Sequence, residues 1–123
     1  MNKLPESTAR EEYCYFTTTG RVTGNPHEIE IWFGLDENTL YLMSGGRDKS
    51  DWVKNLQKNP VVTVRVAGVI YSATARIVKD EKEEMLARNM LADKYKERES
   101  DGSLSEWAAT ALVVGIDVIE EHN

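Results

Sequence analysis

Val61-Val62-Thr63-Val64-Arg65-Val66-Ala67-Gly68-Val69-Ile70-Tyr71-Ser72-Ala73-Thr74-Ala75-Arg76-Ile77-Val78 is the stretch that decides the fold. Two runs rich in β-branched residues flank the short Ala67-Gly68 break, the pattern of a β-hairpin. Consecutive strands joined this tightly pair antiparallel. Just upstream, Pro60 ends a helix of about Asp51–Asn59, because proline disfavours helix at the residue before it. Trp52, Val53 and Leu56 form that helix's apolar stripe, and Asp48 or Ser50 is expected to cap it. Just downstream, Asp80 with Glu83 three residues on starts a second helix reaching about Lys96, with Met85, Leu86, Met90 and Leu91 at helical spacing.

Further out, Glu12–Thr19 reads as a strand rich in aromatic and β-branched residues, ending in Gly20-Arg21-Val22-Thr23-Gly24-Asn25-Pro26. His27–Phe33 alternates, with Ile29, Ile31 and Phe33 on one face and Glu28, Glu30 and Trp32 on the other. Asp36-Glu37-Asn38 turns the chain into a strand at Thr39–Met43. Arg98–Ser105 is polar, carries Gly102 and reads as a loop, and Ala111–Glu120 is a last strand. Six strands and at least two helices in this order predict an α+β fold, an antiparallel sheet curled into a barrel. The 123 residues suit one domain, with residues 1–11 a loose lead-in or one short helical turn.

Composition narrows the function. The hydrophobic fraction of 41% and charged fraction of 29% are those of a soluble globular chain. Cys14 is the sole cysteine, so no disulfide forms within the chain and a Cys-rich metal site is excluded. With only His27 and His122 besides, no metal is expected. No apolar run follows Met1–Glu6 and none is long enough to span a bilayer, so the expected location is the cytoplasm. The net charge of −6 argues against nucleic acid.

Two segments could carry chemistry. Thr18-Thr19-Gly20-Arg21-Val22-Thr23-Gly24-Asn25-Pro26 offers accessible backbone N–H groups, hydroxyls and a fixed cation, which suit a phosphate. Taken alone, such a turn is more often a plain hairpin connection. Gly45-Gly46-Arg47-Asp48-Lys49-Ser50 feeds the helix bearing Trp52 and Asn55, placing a helix N-terminus beside Arg47 and Lys49. The competing reading is a helix that caps itself and buries Trp52. Neither a dinucleotide fingerprint nor a P-loop is present. Cys14 reads as a buried inert thiol, and the pair Glu28 and Glu30 as the solvent half of an alternating strand rather than an acid–base couple. No catalytic side chain is assigned.

In this order and spacing, the two segments resemble the deazaflavin-dependent nitroreductase family. That family lies within the split β-barrel superfamily of flavin mononucleotide-binding and pyridoxamine-phosphate-oxidase-like proteins. The resemblance is carried by Thr18–Pro26, by Gly45-Gly46 with Lys49, and most specifically by Trp52-Val53-Lys54-Asn55-Leu56-Gln57-Lys58-Asn59-Pro60. It implies a six-stranded antiparallel split β-barrel with two or three flanking helices, holding coenzyme F420 or, alternatively, FMN in a groove. It further implies cofactor contacts at Thr19, Arg21, Thr23, Pro26, Trp32, Gly45, Gly46, Arg47, Lys49, Ser50, Trp52 and Asn55. Arg21, Arg47, Lys49 and Lys54 would meet the anionic tail, and Trp32 would lie beside the ring. The implied activity is hydride transfer to an activated small molecule such as an enone, quinone or nitro compound. Tyr95 alone remains of the tyrosines that contact substrate in some members. A homodimer is the expected assembly, with Trp32, Trp52 and Trp107 as apolar surface to share. A cofactor-free barrel acting as a binding module is the competing class.

Overall fold

The computed structural model describes residues 4–122. Its strands are β1 (Cys14–Thr19), β2 (Pro26–Ile31), β3 (Gly34–Asp36), β4 (Thr39–Ser44), β5 (Val61–Val66), β6 (Val69–Ile77) and β7 (Leu112–Glu121). Helices α1 (Asp51–Lys58), α2 (Glu81–Tyr95) and α3 (Glu106–Thr110) flank them, with 3₁₀ turns at Glu6–Arg10 and Arg47–Lys49. The class is α+β, a split-barrel-like curled sheet. The six expected strands are all present. The seventh, β3, is a three-residue strand too short to leave an alternating pattern.

All strand pairs are antiparallel, in the order β2-β1-β5-β6-β7-β4-β3. β2 and β3 are therefore opposite edges, yet only Trp32 and Phe33 separate them in sequence. Three Cα–Cα steps reach at most about 11 Å. Seven flat strands would hold their edges about 29 Å apart. The sheet must curl back on itself, and Phe16, Leu40, Leu42, Val64, Ala73 and Ile116 from β1, β4, β5, β6 and β7 duly meet in one core. Helix α1 adds Leu56 to it. Helix α2 covers the outer side, where Ala87 and Leu91 pack on Tyr41, Met43 and Val113.

The corner at Trp32-Phe33 leaves the sheet ladder, so its backbone needs partners elsewhere. Phe33 N–H donates to the Tyr95 hydroxyl at 3.0 Å, and Lys94 Nζ donates to Phe33 O at 2.9 Å. That hydroxyl lies 2.7 Å from Glu12 O and 3.0 Å from Phe33 O, so its one hydrogen also serves backbone. Tyr95 thus works as a clamp on the corner.

Residues 1–3 of the lead-in lie outside the described residues. From Leu4 on it is anchored rather than loose: Leu4 is buried, its N–H donates to Asn38 Oδ1 at 2.9 Å, and Glu6–Arg10 is one short turn. Glu83 N–H donates to Asp80 Oδ2 at 2.9 Å, the expected cap of α2. The Glu83 carboxylate does not return to the cap. It takes two bonds from Arg76, at 2.8 and 2.6 Å, and one from the Tyr41 hydroxyl at 2.6 Å. Arg76 also binds Asp117, which accepts from Thr39, so one polar network ties β4, β6, β7 and α2. Among the described residues no helix is long and apolar enough to cross a membrane.

Candidate functional site

The β1–β2 turn is built on its own backbone: Gly20 N–H donates to Asn25 O at 2.7 Å and Gly24 N–H to Gly20 O at 2.9 Å. Gly24 sits at φ +79°, where a side chain is strained. At Gly20 a Cβ would fall 2.6 Å from His27 Nε2, so the turn is packed tightly against the start of β2. Across from it stands the first turn of α1. Asn55, 4% exposed, joins the two. Its Oδ1 accepts from Arg21 N at 3.2 Å and Arg21 Nη1 at 2.8 Å, and its Nδ2 donates to Thr18 Oγ1 at 3.1 Å. Arg21 Nη2 also reaches Asp51 Oδ1 at 3.1 Å. Trp52 meets Phe16 edge-on, centroids 5.7 Å apart, which fixes it at the border of core and cleft.

Asp48 and Ser50 do not cap α1. Ser50 stands at the N-cap position, but its hydroxyl is 2.7 Å from Ser44 Oγ, and among the described residues no side chain caps the first helical N–H groups. The positive end of α1 is left with free donors. Between the turn and α1 lies an open cleft of about 860 Å³. Of the residues singled out from sequence, Arg21, Thr23, Pro26, Ser50, Trp52 and Asn55 line it together. Val22, His27, Glu28, Ile29 and Asp51 line it too, none of them among the expected cofactor contacts.

The other expected contacts lie elsewhere. Thr19 closes β1, paired with Pro26. Lys49 and Lys54 are exposed, on the 3₁₀ turn before α1 and on α1. Arg47 Nε donates to Thr110 O at 3.2 Å, which points it toward α3. Gly46 approaches Ser50, and Gly45 approaches Trp107. Trp32 faces a second cleft of about 470 Å³, lined also by Tyr13, Glu30, Ile31, Met43, Glu97 and Trp107. Its ring stacks on Tyr95, centroids 4.2 Å apart and planes within 6°, and meets Trp107 edge-on at 5.5 Å.

The two clefts follow one another along one strand. Residues 26–29 face the first and residues 30–32 the second, while the opposite wall runs from Asn55 and Ser50 back to Met43. Residues 26–32 extend about 20 Å, so the two clefts lie one after the other beside the free edge of β2, a groove in two separate parts. One end carries charge and helix donors, the other aromatic rings. The thiol of Cys14 is buried and desolvation pushes it up to about 12, so it is no nucleophile. Glu28 lies 3.5 Å from Arg65 and Glu30 accepts from the Tyr15 hydroxyl at 2.9 Å, so the two carboxylates serve separate partners.

Known proteins share this fold. In shape, the chain is similar to a solved F420 reductase at TM-score 0.67 and 17% identity, covering 97% of this chain and 98% of that one. It is similar to a FAD-binding protein from Mesorhizobium loti at TM-score 0.67 and 14% identity, covering 92% and 83%. A structure described as a domain-swapped dimer matches at TM-score 0.68 and 20% identity, covering 86% and 80%. Identities this low show the fold alone. No curated protein matches in sequence. The profile of the family described as F420H(2)-dependent quinone reductase matches residues 6–104, which takes in every lining residue of the first cleft and all of the second but Trp107. The chain belongs to that family, and it is an oxidoreductase of the deazaflavin-dependent class.

Proposed function

We propose that the groove along β2 holds coenzyme F420 with its anionic tail at the β1–β2 turn and its ring toward Trp32, and that hydride passes to an activated enone, quinone or nitro compound. The observation that carries this reading is the Asn55 bridge, which draws Arg21 to the uncapped first turn of α1. A guanidinium, a threonine hydroxyl and unpaired helix N–H groups form a donor set suited to phosphate and carboxylate. The first cleft, about 860 Å³, is also of the size usual for cofactor sites. The residues present therefore fit the group. Arg21, Thr23 and the N–H groups of α1 would hold the tail, with Lys49 and Lys54 adding long-range charge. Trp32 and Trp107 would flank the ring and keep water from it. When bound, the coenzyme supplies the hydride, and the chain supplies placement and electrostatics.

Titrating the purified chain with coenzyme F420 and following its fluorescence tests the reading. Saturable micromolar binding is expected, weakened in Arg21→Met, and its absence would remove the proposal. A flavin mononucleotide bound in the same cleft is the second reading, favoured by the likeness to a FAD-binding fold. It predicts a yellow protein that releases flavin on denaturation.

The same reading includes a homodimer in the cytoplasm. Support comes from the unpaired edge of β2, from Val22 standing 89% exposed beside the groove, and from the domain-swapped neighbour. A sedimentation mass near one chain of 13.9 kDa would contradict the dimer.

A further inference from the structure

A third cleft, of about 320 Å³, shares Trp32 with the second and is lined besides by Arg10, Glu12, Lys94, Tyr95 and Lys96. Three cations against one carboxylate is a local reversal in a chain whose net charge is −6. The cations come from different places: Arg10 from the 3₁₀ turn near the N-terminus, Lys94 from the last turn of α2, and Lys96 from the left-handed residue that ends α2. Lys94 stands out. It is half-buried, its Nζ lies 3.7 Å from the centroid of the Phe33 ring, and among the described residues its one acceptor is Phe33 O. Among the described residues no carboxylate forms an ion pair with it, whereas the six ion pairs there all involve arginine. Burial pushes its ammonium down to about 8. A desolvated cation without a counter-ion is costly, and an arriving anion removes that cost. The flat Trp32–Tyr95 stack supplies an aromatic wall beside it.

We propose that this third cleft anchors the acidic group of the substrate, a planar conjugated molecule bearing a carboxylate, with Lys94, Arg10 and Lys96 on the carboxylate and Trp32 against the conjugated part. The inference rests on the reading that the ring end of the groove lies at Trp32. Because Trp32 is the wall common to both clefts, an acid held here keeps its conjugated part next to the reacting end. Lys94 and its neighbours are specificity residues in this account, and no proton or hydride passes through them.

The test is a binding titration of the coenzyme-free chain with naphthoate and with its uncharged amide, read by tryptophan fluorescence. Naphthoate is expected to bind at least about tenfold tighter than the amide, the size of a hydrogen bond to a charged group. Lys94→Met should erase that preference. As Lys94 also serves the corner, Arg10→Gln with Lys96→Gln, both at exposed positions, is the companion variant; it should cut the preference several-fold with an unchanged melting temperature. Lys79→Gln, outside the cleft, should change nothing. Between pH 7 and 9 naphthoate affinity should fall as Lys94 loses its proton. The other charged groups near Lys94 are Glu11, Glu12, Arg10 and Lys96, while Cys14 and Tyr95, both pushed up to about 12, stay neutral. Equal binding of acid and amide, no binding of naphthoate at millimolar concentration, or a preference erased by Arg21→Met in place of Lys94→Met would each overturn the subsite. Coenzyme titration is scored separately. Coenzyme binding without an acid preference sinks the subsite alone. An acid preference in a chain that fails to bind the coenzyme supports the subsite and removes the cofactor reading.

Discussion

Arg21 and Arg76 both reach carboxylates, and the contrast between their surroundings separates the site from the scaffold. Arg76 lies between Glu83 and Asp117 with four bonds of 2.6–3.2 Å, and both acids are held in turn by Tyr41 and Thr39. Each of its three nitrogens has a carboxylate partner, in two-pronged contacts of the strong kind. Arg21 has one carboxylate contact, at 3.1 Å, to an Asp51 side chain that is 85% exposed. Such a pair contributes little and yields readily to another anion. Saturation marks the arginine that holds strands and helix together. Loose pairing marks the one beside a cleft.

Breaking the saturated side should have the largest effect. Arg76→Met leaves Glu83 and Asp117 facing each other, and urea unfolding at pH 7 should show a loss of about 2 kcal/mol, less than for a fully buried pair because Arg76 is partly exposed. The same network sets an acid limit. Bonds from Arg76 hold the Glu83 carboxyl down to about 2, against roughly 4.3 in an unfolded chain. A depressed acid stabilises the fold above its unfolded value, so the gain is present from about pH 5 upward and lost as pH falls toward 2. Melting temperatures between pH 5 and 2 should fall steeply for the natural chain and less for Arg76→Met.

Asn55→Ala comes next, since it strips partners from Arg21 N–H and Thr18 inside a buried contact. A cost of about 1.5 kcal/mol is expected, with a parallel loss of coenzyme affinity. Arg21→Met should weaken coenzyme binding about tenfold while stability stays within about 0.5 kcal/mol, since surface pairs contribute so little. An equal loss of stability would put Arg21 on the scaffold side. The smallest effect sharpens the comparison: Asp51→Asn removes the competing anion, and coenzyme affinity should rise by a few-fold in an otherwise identical titration.

The hairpin around Ala67-Gly68 was readable because strand and turn signals both act over neighbouring residues, and β5 and β6 pair there from Val66 and Val69 outward. Pro60 and Asp80 bounded the helices for the same local reason. β3 was not readable, because three residues carry no period and Gly34–Asp36 is held in place by β4. Ser50 fits a cap by composition, but its hydroxyl is drawn to Ser44, six residues away. On the candidate site, sequence pointed to both walls of the first cleft. The second and third clefts stayed hidden because Trp32, Tyr95 and Trp107 meet only after the sheet has curled. Tyr95 is the instructive residue: the resemblance offered it as a substrate contact, and its hydroxyl turns out to serve Phe33 and Glu12, backbone far from it in sequence.

The two-residue corner at Trp32-Phe33 also sets how the groove can breathe. At that end the walls are tethered by covalent chain and pinned by Tyr95 and Lys94. At the other end, the Gly20–Asn25 turn meets α1 through side-chain contacts of Arg21, Asn55 and Asp51, all breakable. Parting the turn from α1 therefore costs only these side-chain contacts, whereas parting the corner would have to break the chain itself.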